Sequence, residues 1–155
     1  MLTHLLMLVA LVLPAEVSHS QGVPDLSGTW VMVADKSSFG PMPAPQSRTD
    51  IIEHKGQSLT IKRTQMTQNG EVTSTLVYGI DGKPYKNKAG DNDVTSILNW
   101  DGAVLVVQST VTTPGGDANV VDRFTLSADT KTLTQSRTIS IQGQEIAQTI
   151  VLAKQ

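Results

Sequence analysis

Four polar side chains stand among the aliphatic positions of segments that alternate between apolar and polar residues. Arg63, Tyr78, Asp122 and Arg137 each share the parity of the aliphatic residues in their segment, and Phe124 shares the parity of Asp122. Alternate side chains of a β-strand point to opposite faces, so these five residues should all point inward. A buried charge is costly without a partner, and two arginines against one aspartate leave a positive charge that an anion can neutralise. The pattern predicts that the five residues contact a ligand.

The face assignment rests on segments in which one parity is polar. In residues 132–141 every even position is Thr or Ser, which turns the odd face with Leu133 and Arg137 inward. In residues 58–65 the even positions are Ser, Thr or Lys, which turns Ile61 and Arg63 inward. Residues 105–111 are apolar on both parities and stay unassigned. The inward positions predicted in this way are Leu59, Ile61, Arg63, Gln65, Val72, Ser74, Leu76, Tyr78, Val94, Ser96, Leu98, Trp100, Val120, Asp122, Phe124, Leu126, Leu133, Gln135, Arg137, Ile139, Ile141, Ile146, Gln148, Ile150 and Leu152.

Catalytic and metal chemistry find little support. His54, beside Glu53, is the sole histidine after residue 20, and metal sites usually need several converging ligands. We therefore expect a solvated histidine at a strand end, with a one-histidine metal or haem site as the weaker interpretation. The G-x-S-x-G motif of serine hydrolases is absent. We expect no catalytic residue, no metal and no cofactor.

Composition excludes several classes of partner. Of 155 residues, 39% are hydrophobic, and 12 basic residues face 14 acidic ones without a run of like charge. This balance gives no electrostatic footprint for nucleic acid or an anionic membrane. Cysteine is absent, which excludes disulfides, thiolate metal sites and a lipid-modified N-terminal cysteine.

The N-terminus has the pattern of a secretory signal. Residues 5–13 are apolar, Pro14 follows, and Ser18 and Ser20 fit a small-x-small cleavage site. The apolar run is too short for a membrane span, which needs about 20 residues. We predict a signal peptide at residues 1–20, one domain at residues 21–155, and a secreted or periplasmic protein. A buried or artefactual N-terminal helix is the alternative.

The rest of the chain is typical of an all-β meander. Strict alternation recurs, three-turn helical periodicity does not, and turn signals such as Asn69-Gly70 and Asp101-Gly102 follow one another every 8 to 14 residues. That spacing leaves room for one strand per turn and none for parallel crossovers. Nine or ten antiparallel strands follow in sequence order. Closing them into an up-and-down barrel, within a range of about 8 to 10 strands, removes both exposed edges.

Residues 37–46 form the one long irregular connection, which we name the proline segment. Pro41, Pro43 and Pro45 alternate through it and exclude a helix. The spacing favours an extended stretch that crosses one end of the barrel as a lid or plug. A plain surface connection is the alternative.

The sequence Asp-Leu-Ser-Gly-Thr-Trp at residues 25–30 resembles the start of the first strand in lipocalin-like and fatty-acid-binding-protein-like (calycin) barrels. The resemblance rests on Gly28-x-Trp30 and on the meander over residues 24–155, and it is nearest to bacterial secreted lipocalin-like domains. It implies that Trp30 closes one end of the barrel against an arginine of a late strand, Arg137 or Arg123. The proline segment departs from the helix pair that covers fatty-acid-binding proteins.

The resemblance also implies that arginines and a tyrosine grip a ligand carboxylate, a role that Arg63, Arg137 and Tyr78 could take. Our first hypothesis is a non-enzymatic protein that binds a small apolar or amphipathic molecule, with an acidic head as one form. The alternative is a structural or protein-interaction barrel without a ligand, since about 8 strands can be filled by side chains. An enzyme acting on a lipid-like substrate comes third, and the oligomeric state is open.

Overall fold

The computed structural model describes residues 22–155, which form ten antiparallel strands and one short 3₁₀ helix, Ala34–Lys36. The predicted signal peptide, residues 1–20, lies outside the described residues. Within them, no helix has the length and apolar character needed to cross a bilayer. The strands are β1 (Gly28–Met32), β2 (Ser47–Lys55), β3 (Ser58–Thr67), β4 (Gly70–Gly79), β5 (Pro84–Ala89), β6 (Asn92–Asp101), β7 (Val104–Thr113), β8 (Gly116–Leu126), β9 (Thr132–Ile141) and β10 (Gln144–Lys154).

The strands form one sheet in the order β4-β3-β2-β1-β10-β9-β8-β7-β6-β5. Every ladder joins strands that follow one another in the chain, except that β1 pairs with β10, so that Trp30 lies opposite Lys154. Tight turns make this order possible, and Gly56 and Gly102 both adopt a φ of 59°, which favours glycine. The structure confirms the predicted antiparallel up-and-down barrel and the upper prediction of ten strands.

The barrel is closed by side chains where β4 meets β5, a boundary that we name the β4–β5 seam. The carboxamide of Asn87 on β5 accepts a hydrogen bond from the Val77 backbone N–H at 2.8 Å and donates one to the Val77 carbonyl at 3.0 Å. The backbone N–H of Gly90 donates to the Ser74 hydroxyl at 3.2 Å. At this boundary these contacts replace the backbone ladder that joins every other pair of neighbouring strands.

The predicted strand faces are largely confirmed. The odd positions of β3 and β9 and the even positions of β6, β8 and β10 point into the barrel, and the unassigned β7 turns Leu105 and Val107 inward. Two residues predicted to point inward are not buried: Val72 is 39% exposed and Ile141 is 38% exposed. Both lie near a strand end, where fewer neighbours cover an inward side chain.

One end of the barrel, which we name the core end, is closed by packed apolar side chains. Trp30 is fully buried there, and its indole N–H donates to the Leu26 carbonyl at 2.9 Å. Trp30 therefore lies at an end of the barrel, where the resemblance carried by Gly28-x-Trp30 placed it. Other fully buried side chains of this end are Leu26, Leu59, Leu98, Leu105, Leu133 and Leu152.

The predicted arginine partner of Trp30 is wrong. The Lys154 ammonium lies 5.3 Å from the centre of the Trp30 ring, and it can reach the ring because β10 is the ladder partner of β1. Arg137 instead pairs with Asp122 in the barrel interior, and Arg123 pairs with Asp101 on the outside. The cation therefore comes from the last strand, as expected, but it is a lysine.

The proline segment lies over the opposite end of the barrel. Ser38 and Thr149 exchange two backbone hydrogen bonds of 2.7 and 2.8 Å, which tie the start of the segment to β10. The Gln148 carboxamide then donates to the Phe39 carbonyl at 3.2 Å. Met42 extends into the interior and lines the cavity described below. These contacts favour the lid interpretation over a plain surface connection.

Candidate functional site

The barrel encloses a cavity of about 360 Å³, which we name the main cavity. Its wall is mostly apolar and includes the aromatic rings of Tyr78 and Phe124. The charged groups come from β3, β8 and β9, and neutral polar groups come from β3, β4, β6 and β7. The lining residues are Met42, Ile61, Arg63, Gln65, Ser74, Leu76, Tyr78, Ala89, Asn92, Val94, Val107, Ser109, Val111, Val120, Asp122, Phe124 and Arg137.

All five sequence-predicted ligand residues lie on this wall. Arg63 and Tyr78 come from β3 and β4, Asp122 and Phe124 from β8, and Arg137 from β9. Alternation along each strand therefore places residues of two hairpins, β3–β4 and β8–β9, on one cavity wall, although the two hairpins are distant in sequence. Their contact with a ligand remains a prediction.

Arg63 does not stand alone in the cavity wall. Its Nε and Nη2 donate to the two carboxylate oxygens of Asp50, both at 2.9 Å. Asp50 also accepts two hydrogen bonds from Arg48, at 3.0 Å from Nε and 2.6 Å from Nη2. A carboxylate can accept about four hydrogen bonds, so two guanidinium groups use the whole capacity of Asp50.

A second cluster is built around Asp122. Arg137 donates to its carboxylate from Nε at 2.7 Å and from Nη2 at 2.9 Å. Gln135 joins the two clusters, because its carbonyl oxygen accepts from Arg48 at 2.7 Å and its amide donates to Asp122 at 2.7 Å. We name the six linked side chains the ionic network: Arg63, Asp50, Arg48, Gln135, Asp122 and Arg137.

The ionic network keeps its charges at neutral pH. Burial by itself raises the pKa of an aspartate, but Arg63 and Arg48 outweigh it at Asp50 and Arg137 outweighs it at Asp122, so both pKa values lie below the usual value. Burial lowers the pKa of Arg48 to about 10, which still leaves it protonated. Burial also raises the pKa of Tyr78, whose phenol stays a neutral hydrogen-bond donor.

The sequence argument missed Arg48 and Asp50. Both are buried on β2, a strand to which no face was assigned. The even positions of β2 point inward, but Ile51 and Ile52 give both faces an aliphatic residue. The interior charges of the described chain are therefore three arginines and two aspartates, rather than two and one.

His54 corrects another expectation. Its side chain is 5% exposed rather than solvated. Nδ1 accepts a hydrogen bond from the Leu26 backbone N–H at 3.3 Å, and Nε2 lies 3.1 Å from the Gly56 carbonyl. Both ring nitrogens thus bind the backbone, which ties the start of the chain to β2. In the part of the chain that the structure describes, no group of three or more acidic or histidine side chains could hold a metal ion.

A smaller cavity of about 170 Å³ lies beneath the proline segment, and we name it the side cavity. Phe39, Met42 and Ile150 contribute to its wall together with Arg48. Met42, Arg63, Gln65 and Arg137 line both cavities. Arg63 and Arg137 therefore stand between the interior of the barrel and its covered end.

No protein-family model matches the sequence, and no curated protein sequence matches it significantly. Solved structures share its fold. The zebrafish ileal bile acid-binding protein complexed with cholic acid has a TM-score of 0.58 at 16% identity, over 83% of this chain and 98% of that chain. The fatty-acid-binding protein of Manduca sexta has 0.54 at 17%, over 84% and 99%. An abundant heat soluble protein of Ramazzottius varieornatus has 0.59 at 10%, over 83% and 94%.

These similarities extend over nearly the whole length of each compared chain. They confirm the antiparallel up-and-down barrel fold that the meander predicted and that the resemblance carried by Gly28-x-Trp30 implied. Kinship with bacterial secreted domains stays a prediction.

Proposed function

We propose that the protein binds a small amphipathic molecule with an acidic head inside the barrel. The observation that carries this proposal is the pair of arginines in an otherwise mostly apolar cavity wall. A pocket of about 300 to 1,000 Å³ with a few convergent polar groups suits a small ligand. The main cavity has this size and character. The chain would act as a carrier rather than as an enzyme.

The hydrogen-bonding capacity of Arg63 and Arg137 supports an acidic head. A guanidinium has five N–H donors, and each of these arginines uses two of them on its aspartate. No buried side-chain nitrogen or oxygen in residues 22–155 lacks a hydrogen-bond partner. Nη1 of each arginine makes no hydrogen bond in this part of the chain, so it is not a fully buried atom and a carboxylate can reach it. The phenol of Tyr78 lines the same cavity.

The compared structures agree with this chemistry. One is named for bile acids and contains cholic acid, and another is named for fatty acids. We also propose a secreted or periplasmic location, on the basis of the signal-like pattern of residues 1–20.

Titration of a fluorescent fatty acid into the wild type, Arg63→Met and Arg137→Met tests the function. A charge-assisted hydrogen bond in such a site contributes about 1.5 to 3 kcal/mol, so each variant should bind about ten- to a hundredfold more weakly. Arg63→Met is the cleaner variant, because Asp50 keeps its bonds to Arg48. Arg123→Met, on the outer surface, should bind like the wild type.

Absence of binding by the wild type, or equal binding by all four proteins, would reject the proposal. Stability is measured in parallel by urea denaturation, so that loss of fold is not taken for loss of a contact. Native mass spectrometry of the purified protein gives an independent test, since a co-purifying acid is expected.

The second candidate is a structural or protein-interaction barrel without a ligand. It is favoured by the internal pairing of Arg63 with Asp50 and of Arg137 with Asp122, which already satisfies part of each guanidinium. A wild type that binds no amphipathic probe would leave this function as the better interpretation.

A further inference from the structure

The charges of the ionic network do not cancel. Arg137 and Asp122 form one ion pair, and Arg63 and Asp50 form another. Arg48 is the third arginine, and its carboxylate partner is the same Asp50. Its other acceptor is the neutral carboxamide of Gln135. Three cations and two anions thus share the barrel interior, which leaves one positive charge.

Arg48 is held far from bulk water. It is 2% exposed, and Asp50 is fully buried beside it. Burial lowers the pKa of Arg48, yet only to about 10, so the excess charge persists at neutral pH. Arg48 lines the side cavity next to Arg63 and Arg137 and is not part of the main cavity wall.

We propose that Arg48 determines the charge selectivity of the barrel, so that a ligand with a single negative charge binds in preference to a neutral ligand of the same shape. This inference rests on the proposed function. Arg63 and Arg137, each matched by an aspartate, supply the directed hydrogen bonds. Arg48 supplies the net attraction without contacting the ligand in the main cavity.

The physical reason is the cost of an uncompensated charge in a poorly polarisable interior. An unpaired cation is unfavourable there, and an anionic head that arrives nearby relieves the cost. An alcohol of the same length gains the same apolar burial but leaves the charge uncompensated. Without Arg48, each aspartate would have one arginine, and the part of the anion's advantage that comes from the excess charge would be lost.

The test uses two fluorescent probes with the same alkyl chain, one ending in a carboxylic acid and the other in a primary alcohol. The measured quantity is the acid-to-alcohol ratio of affinities. Arg48→Met should lower this ratio at least tenfold, the effect of one charge acting across about 12 Å at an effective dielectric constant of about 20. Arg123→Met, which removes an exposed arginine, should leave the ratio unchanged.

A second variant separates charge from packing. Arg48→Met combined with Asp50→Asn removes one charge of each sign, so the interior again holds one excess positive charge and the ratio should return toward that of the wild type. Asp122→Asn raises the excess charge and should increase the ratio. If Arg48→Met does not fold, the affinity ratio of Asp122→Asn still tests the proposal.

The outcomes are distinct. A wild type that binds neither probe rejects the proposed function. A wild type that binds both probes equally, or a ratio that Arg48→Met and Asp122→Asn leave unchanged, rejects the role of Arg48 and keeps the cavity as a binding site. A low ratio in the double variant would assign the effect to packing and would also reject the role of Arg48.

Discussion

Trp30 combines three contacts that fix the core end of the barrel. Its ring is fully buried among leucines, its N–H is bonded to Leu26, and Lys154 lies over one face. The burial of a large aromatic ring dominates these contributions, because a single cation–π contact contributes only about 0.5 to 1 kcal/mol at an exposed site. The tryptophan itself therefore matters more than the cation.

Trp30→Ala should lower the free energy of unfolding by about 3 to 5 kcal/mol, since it leaves a large cavity in a packed core. Lys154→Met should lower it by about 1 kcal/mol or less. Urea denaturation of both variants measures the difference. A loss below about 1 kcal/mol for Trp30→Ala would contradict the structural role assigned to Gly28-x-Trp30.

Single residues also show how far the sequence alone could lead. Arg63 and Arg137 were found because the opposite faces of their strands are polar throughout. The inward position of Arg48 could not be predicted, because Ile51 and Ile52 place one aliphatic residue on each face of β2. The contact of Lys154 with Trp30 could not be predicted for another reason. Alternation within one strand does not show which other strand pairs with it.

Among the elements of residues 22–155, β4 and β5 are the neighbouring strands that no backbone ladder joins. The Asn87 carboxamide replaces the backbone groups that join other strands, and a side chain can rotate away from its partners without unfolding either strand. The meander pattern predicted both strands but could not show that this pair lacks a ladder. Its closure depends on side chains rather than on a backbone pattern.

Asn87→Ala should speed hydrogen exchange at the Val77 amide, because that N–H donates to the Asn87 side chain. Asn119→Ala is the matched control. Asn119 lies on β8, whose backbone is paired on both sides, and its side chain accepts from Thr110 at 3.3 Å. The amide of Val77 is followed by nuclear magnetic resonance in both variants. Equal exchange in the two would show that the seam closes without Asn87.

For the molecule as a whole, the ionic network makes the free energy of unfolding depend on pH in the acidic range. The pKa values of Asp50 and Asp122 are lower in the folded state than in the unfolded state. The two ionised carboxylates therefore stabilise the fold at any pH above their unfolded pKa. This stabilisation is lost as the pH falls toward their folded pKa values. An aspartate in an unfolded chain has a pKa of about 3.9. The free energy of unfolding should therefore be nearly constant from about pH 7 to pH 5 and fall steeply below about pH 4.

Denaturation curves across this range measure the effect. Asp122→Asn should make the fall shallower, because one of the two protonation events is removed. Asp117→Asn, which replaces an exposed aspartate at the start of β8, is the control variant. A wild type whose stability does not change down to about pH 3 would contradict the assignment of the buried carboxylates.

The pairing of β1 with β10 sets the order in which this molecule can be assembled. Eight ladders join strands that are neighbours in the chain and can form while the polypeptide is being synthesised. The ninth must wait for the last strand, because Trp30 and Leu152 enter the same packed core from opposite ends of the meander. Until then β1 keeps an open edge that can pair with another chain. During folding, the chain therefore stays exposed to pairing with another chain until β10 docks on β1.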